Sequence, residues 1–111
     1  MRQYRIDQID AQDVARIRQR LQVMELGAGL DDIFWLPVPT ALLTELQQNH
    51  HEQCGPYVMT LELEADAVTL ELLVRARGRL RCECIGYATE ALQTHMMRYV
   101  DTLLTDSGVS V

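Results

Sequence analysis

Two period-two stretches stand almost back to back in the chain, and they constrain the fold more than anything else. In residues 57–64, "YVMTLELE", Met59, Leu61 and Leu63 alternate with Thr60, Glu62 and Glu64. In residues 68–77, "VTLELLVRAR", the apolar positions are Val68, Leu70, Leu72, Val74 and Ala76. Strict alternation places one set on a buried face and the other in water, the signature of a half-buried strand. The short acidic connection through Glu64 and Asp66 leaves room only for a hairpin, so the two strands are antiparallel. A third alternating stretch, residues 80–87, sets Leu80, Cys82 and Cys84 on one face and Arg81, Glu83, Ile85 and Tyr87 on the other. Pairing it so that Ala76 faces Cys82 also sets Arg75 beside Glu83 and Leu73 beside Ile85, a register that satisfies both faces.

Helices account for most of the remainder. Asp10 is placed to cap a helix through "AQDVARIRQRLQVMELG", with Asp13 at N3 and Ile9 and Val14 at staple spacing. Val14, Ile17, Leu21 and Met24 form its apolar stripe, and Gly27 or Gly29 is the expected stop. Thr40 or Thr44 can open a short helix ending at Gly55-Pro56, with Thr44 and Gln47 at capping-box spacing. Thr89 caps a last helix striped by Leu92, Met96, Tyr99 and Leu103. Residues 3–8 and the "DDIFWLPVPT" segment read as weaker extended pieces, the latter as extended chain or an edge strand because Pro37 and Pro39 restrict their neighbours. The expected architecture is α+β: an antiparallel sheet of three strong strands (57–64, 68–77, 80–87), one or two weak edge segments, and about three helices mainly on one face. A chain of 111 residues, 48% apolar, fits a single compact domain over 1–111.

Charge and cysteine content narrow the function classes. The net charge of −6 comes from ten arginines, no lysine and sixteen acids, which works against a broad nucleic-acid surface. No apolar run reaches the ~20 residues that span a bilayer, and the polar amino terminus lacks a signal-peptide core, so a cytoplasmic protein without membrane attachment is expected. Three cysteines, an odd number, agree with a reducing compartment.

Two local clusters carry chemistry. Arg75, Arg77, Arg79 and Arg81 give residues 75–81 a charge of +4 and leave −10 on the rest. Arginine forks suit phosphate or carboxylate, although a solvated hairpin tip that discourages edge pairing explains the same pattern and is the stronger reading. His50, His51 and Cys54, together with Cys82 and Cys84, supply thiolates and imidazoles suited to tetrahedral zinc. The Cys-x-x-Cys knuckle spacing is missing, and the parity shared with Leu80 casts Cys82 and Cys84 as small core residues. No cofactor is therefore expected, with zinc as the alternative. An enzyme is disfavoured: Cys54 near His51 lacks an orienting third group, His95 flanks a helix stripe, and Glu62, Glu71 and Glu83 fit a solvated face. The function expected from the sequence is a non-catalytic interaction or regulatory module that pairs with itself or another protein. Leu73, Ile85, Tyr87 and Met97 are the candidate interface, since Met97, Val100 and Leu104 widen the last helix beyond one core stripe.

Overall fold

A computed structural model describes residues 1–110. Mixed helices and an antiparallel seven-stranded sheet make the fold α+β. In chain order the elements are β1 (Gln3–Ile6), α1 (Ala11–Val23), β2 (Gly27–Leu30), β3 (Ile33–Pro37), a 3-10 turn (Thr40–Leu42), α2 (Glu45–Asn49), α3 (His51–Cys54), β4 (Tyr57–Leu63), β5 (Val68–Glu71), β6 (Leu73–Ala76), β7 (Gly86–Tyr87) and α4 (Glu90–Asp106). The strands run β1-β5-β4-β3-β2, with β6 also beside β4 and β7 beside β6.

β4 is the spine of the sheet, and its alternation decides which face is covered. Tyr57, Met59, Leu61 and Leu63 are buried, as are Val68, Leu70, Leu72, Val74 and Ala76 on the following strands and Phe34 and Leu36 on β3. Against this face pack Val14, Ile17 and Leu21 of α1 and Leu92, Met96, Val100, Leu103 and Leu104 of α4, in one hydrophobic cluster. Burying each such side chain contributes on the order of 1.5–3 kcal/mol, which is why a solvated alternate register is not competitive. Val100 and Leu104 are fully buried, so the breadth of the last helix serves this core, not an outer surface. The helix starts follow the sequence: Asp10 accepts from the Gln12 amide, Thr44 and Gln47 form a reciprocal capping box, and Thr89 accepts from the Leu92 amide.

Several expectations are corrected. The stretch 68–77 is two strands, because Leu72 leaves the β4 ladder: its N–H donates to the Arg2 carbonyl and its own carbonyl accepts from Ala88. The strand expected over 80–87 contracts to Gly86–Tyr87, paired Leu73 with Tyr87 and Val74 with Gly86. Ala76 therefore does not face Cys82, Leu73 does not pair with Ile85, and Arg75 does not pair with Glu83. The cause lies just upstream: the Arg77 and Gly78 amides donate to the Pro56 and Cys54 carbonyls at 3.0 and 2.7 Å. These bonds draw the chain over the end of α3 before a hairpin can form, and residues 77–85 become a loop. Leu80, expected inward, is 98% exposed. β3 is an interior strand with β2 on its other side, not an edge. Finally, α1 ends at Met24, and the left-handed turn falls on Glu25 (φ 59°) and not on the expected Gly27 or Gly29.

Candidate metal centre

The loop that replaces the expected third strand brings both cysteines of "CEC" to the end of α3. His50 sits at the α2–α3 junction and Cys54 four residues on, at the last position of α3, so one turn of helix separates them and they share a face. Cys82 and Cys84 flank a tight turn closed by the Ile85 amide on the Cys82 carbonyl at 3.1 Å. The turn folds both thiols to the same side. As a result one imidazole nitrogen of His50 and the Sγ atoms of Cys54, Cys82 and Cys84 all lie within 4.8 Å of one another. The closest pair is His50 Nδ1 to Cys82 Sγ at 3.1 Å. Around tetrahedral zinc, with Zn–S ~2.3 Å and Zn–N ~2.0 Å, neighbouring donor atoms stand roughly 3.3–3.8 Å apart. Three sulfurs and one imidazole nitrogen thus match the metal in both chemistry and spacing, with a contraction of about 1 Å at most.

The surrounding side chains hold these donors in place. Gln47, the only buried polar residue among those described, donates from Nε2 to the Cys84 carbonyl at 3.1 Å while its Oε1 accepts from the Thr44 amide at 2.9 Å. The Tyr57 hydroxyl donates to the Gln47 carbonyl at 2.8 Å. One buried amide therefore ties the α2 cap to the second cysteine of the turn, an outer-shell arrangement that orients a ligand before any metal arrives. Gly78 makes the approach possible, since a Cβ there would lie 2.7 Å from the Gln53 carbonyl oxygen and 2.8 Å from that of Cys54.

Electrostatics separate Cys82 from Cys54. Cys82 is lowered to about 6, first by the Cys84 backbone amide hydrogen-bonding to its sulfur and then by the Cys84 and His50 side chains. Cys54, buried against the core, is raised to about 11, first by desolvation and then by the neighbouring thiols. Burial likewise pushes the Tyr57 phenol up. A divalent cation would reverse the penalty at Cys54, because it supplies the charge that apolar surroundings withhold.

Of the five residues that the sequence marks for metal, four converge and one does not. His51 is exposed and turns edge-on to the Tyr57 ring, centroids 6.0 Å apart. His95 lies exposed on α4, and no carboxylate among the described residues joins the cluster. The four arginines do not act as one cluster: Arg75 pairs with Glu71 on its own β5–β6 segment, Arg77 lies over the Trp35 ring at 4.3 Å, and Arg79 and Arg81 are exposed, with Arg81 apart from the groove that the other three line. Among the described residues, Arg77, Arg79 and Arg81 form no ion pair. Leu73 and Tyr87 are cross-strand partners, with Tyr87 48% exposed, while Ile85 and Met97 are half-buried. Sequence reasoning missed Gln47 and Gly78. The capping box located Gln47, but only the fold shows its amide reaching the cysteine turn. No helix is long and apolar enough to cross a membrane. The chain matches no protein-family model, no curated protein and no solved structure.

Proposed function

We propose that this chain is a small zinc-binding module in which His50, Cys54, Cys82 and Cys84 hold a structural metal ion. The observation that carries the reading is the convergence of four donor atoms from two separate segments within 4.8 Å. Four protein ligands close a tetrahedron and leave no position for substrate, the pattern of structural zinc. The ion would join the α2–α3 corner to the loop 77–85, which is otherwise held by a few backbone hydrogen bonds, the Gln47 amide on the Cys84 carbonyl and the Arg77–Trp35 contact. A thiolate–imidazole nucleophile built from Cys82 and His50 accounts for only half of the cluster. Cys84 could support such a thiolate through its hydrogen bonds to Cys82, but the buried Cys54, raised to about 11, is left without a role, and the metal reading uses all four residues.

Elemental analysis of untagged protein tests the proposal. About one zinc per chain is expected, lost in Cys54→Ser and Cys84→Ser and kept in His51→Ala. Wild-type protein that takes up no zinc on refolding in its presence, or a His51→Ala variant that loses it, contradicts the assignment.

A second, separable reading is self-association through the edge where β6 meets β7. It is favoured by Tyr87, 48% exposed beside its partner Leu73. Sedimentation at micromolar concentration is expected to show a dimer that Leu73→Glu disperses while remaining folded. A clean monomer at that concentration ends this reading.

A further inference from the structure

The uncovered face of the sheet is not flat. The loop 77–85 rises beside it and, with β3 and β4, encloses a groove of about 550 Å³, within the usual range of small-molecule sites. Ile33 and Trp35 of β3 and Val58 of β4 form its floor, and Ile85 and Leu80 of the loop form a wall. These are outward positions on their strands, where a sheet facing only water would carry polar residues. Val58 is 5% exposed and Ile85 half-buried, so the loop already packs on part of this face and leaves Ile33 and Trp35, both half-buried, as the accessible apolar floor.

Its charges are arranged by position. Arg75, which lines the groove, is already neutralised by Glu71, with Nε and Nη2 on the two carboxylate oxygens at 2.9 and 3.3 Å. Arg77 and Arg79 also line it and, among the described residues, have no acidic partner. The Arg77 guanidinium lies over the Trp35 ring, 4.3 Å from its centroid, a cation–π contact that places its charge at the groove. Glu62, at the β4 position opposite Ile33, stands away from the arginines along the strand and has no ion pair among the described residues. One end therefore attracts negative charge, the middle sets Trp35 beside Thr60, and the Glu62 end repels a second negative group.

We propose that this groove binds a small amphiphilic organic anion with a single oxyanion head. Arg77 and Arg79 hold the head, and an unbranched or flat apolar body lies on Ile33 and Trp35. The inference goes beyond the metal reading, and none of the lining residues is a metal ligand. Arg77, Arg79, Leu80 and Ile85 nonetheless stand on the loop that carries Cys82 and Cys84. Binding is therefore measured on zinc-loaded and on metal-free protein alike, and binding lost only on chelation separates the two readings. A phosphate or carboxylate without an apolar body would find only two exposed guanidinium groups and bind weakly. A neutral apolar molecule would leave both arginines unpartnered.

Trp35 is the only tryptophan in the chain, so its emission reports directly on the groove. The experiment titrates the isolated protein with octanoate, with octanamide as the uncharged isostere and inorganic phosphate as the bodiless anion. Octanoate is expected to give a saturable change in Trp35 emission below about 1 mM, with octanamide and phosphate each at least ~tenfold weaker. Arg79→Ala, an exposed substitution not expected to disturb folding, is expected to weaken octanoate by about tenfold, and raised salt to weaken it further. No saturable change with octanoate up to about 10 mM overturns the proposal. So does octanamide binding as tightly as octanoate, or Arg79→Ala binding octanoate like wild type. A protein that is dimeric by sedimentation, unresponsive to octanoate, and whose Trp35 emission shifts only when Leu80→Glu disperses the dimer, also overturns it and assigns the groove to a second copy.

Discussion

Replacing Gly78 by alanine perturbs the centre without touching a ligand. A Cβ at this position would stand 2.7 and 2.8 Å from the carbonyl oxygens of Gln53 and Cys54 and 2.9 Å from the Cys54 carbonyl carbon. All three atoms belong to the backbone at the end of α3, so no rotamer change relieves them. Ordinary contact at ~3.5 Å or beyond requires the loop to retreat by roughly half an ångström or more. That retreat lengthens the Gly78 N–H bond to the Cys54 carbonyl, now 2.7 Å, and carries the Cys82–Cys84 turn away from His50 and Cys54. Overpacking at ~1–3 kcal/mol and a weakened hydrogen bond at ~1 kcal/mol together give an expected loss of about 2–4 kcal/mol. Urea unfolding of the zinc-loaded protein measures the loss, and competition with a chromogenic chelator measures metal affinity, which is expected to fall in parallel. Gly86→Ala is the control, since a Cβ there would meet nothing within 4 Å and its change should stay within ~0.5 kcal/mol. A Gly78→Ala variant with wild-type stability and wild-type metal affinity would refute the argument that close approach of these two segments builds the centre.

Four further outcomes follow from the same geometry. Gln47→Ala removes the capping box and the amide on the Cys84 carbonyl, and chemical unfolding should show a loss of about 1–3 kcal/mol, with Gln47→Glu failing to restore the donor. In metal-free protein at pH 7, iodoacetamide should modify Cys82 well ahead of Cys54, because one thiol is held near 6 and the other near 11, and zinc should protect both. The sign also sets a stability trend. A thiol lowered from 9.0 to about 6 stabilises the metal-free fold above the unfolded value, and that contribution disappears as pH falls through about 6. Chelation should raise amide hydrogen exchange in residues 77–86 while leaving β4 and α4 protected, since the metal is expected to fasten the loop and not the core.

The sheet and helices are legible where burial and periodicity act together. Leu61 and Leu70 alternate on strands whose other face is wet, and Asp10, Thr44 and Thr89 cap helices through short-range bonds that sequence spacing alone specifies. Residues 80–87 mislead because alternation is present without the packing that normally enforces it. Leu80-Arg81-Cys82-Glu83-Cys84 has the right pattern for a strand, yet the Cys54 and Pro56 carbonyls capture the preceding amides first. That local competition is invisible to periodicity. The same pattern hides the centre: a cysteine assigned to a strand face beside Leu80 points into a core, whereas in a turn it points at His50. The residue types of a metal site are readable in "HHEQC" and "CEC", but their convergence depends on a long-range contact. The choice between His50 and His51 depends on which one shares a helical face with Cys54.

The arginines follow the reverse course. Their number and spacing suggest a solvated tip, and Arg75 and Arg81 fit that description. Arg77 does not, because the loop folds its guanidinium over Trp35, a residue 42 positions away in the chain.

X-ray absorption at the zinc edge, on protein loaded with stoichiometric zinc, tests the central claim most directly. The account predicts a four-coordinate ion with three sulfur neighbours at ~2.3 Å and one imidazole nitrogen at ~2.0 Å, changing to two sulfurs in Cys82→Ser. A shell dominated by oxygen, or a sulfur count unaffected by that substitution, would contradict it.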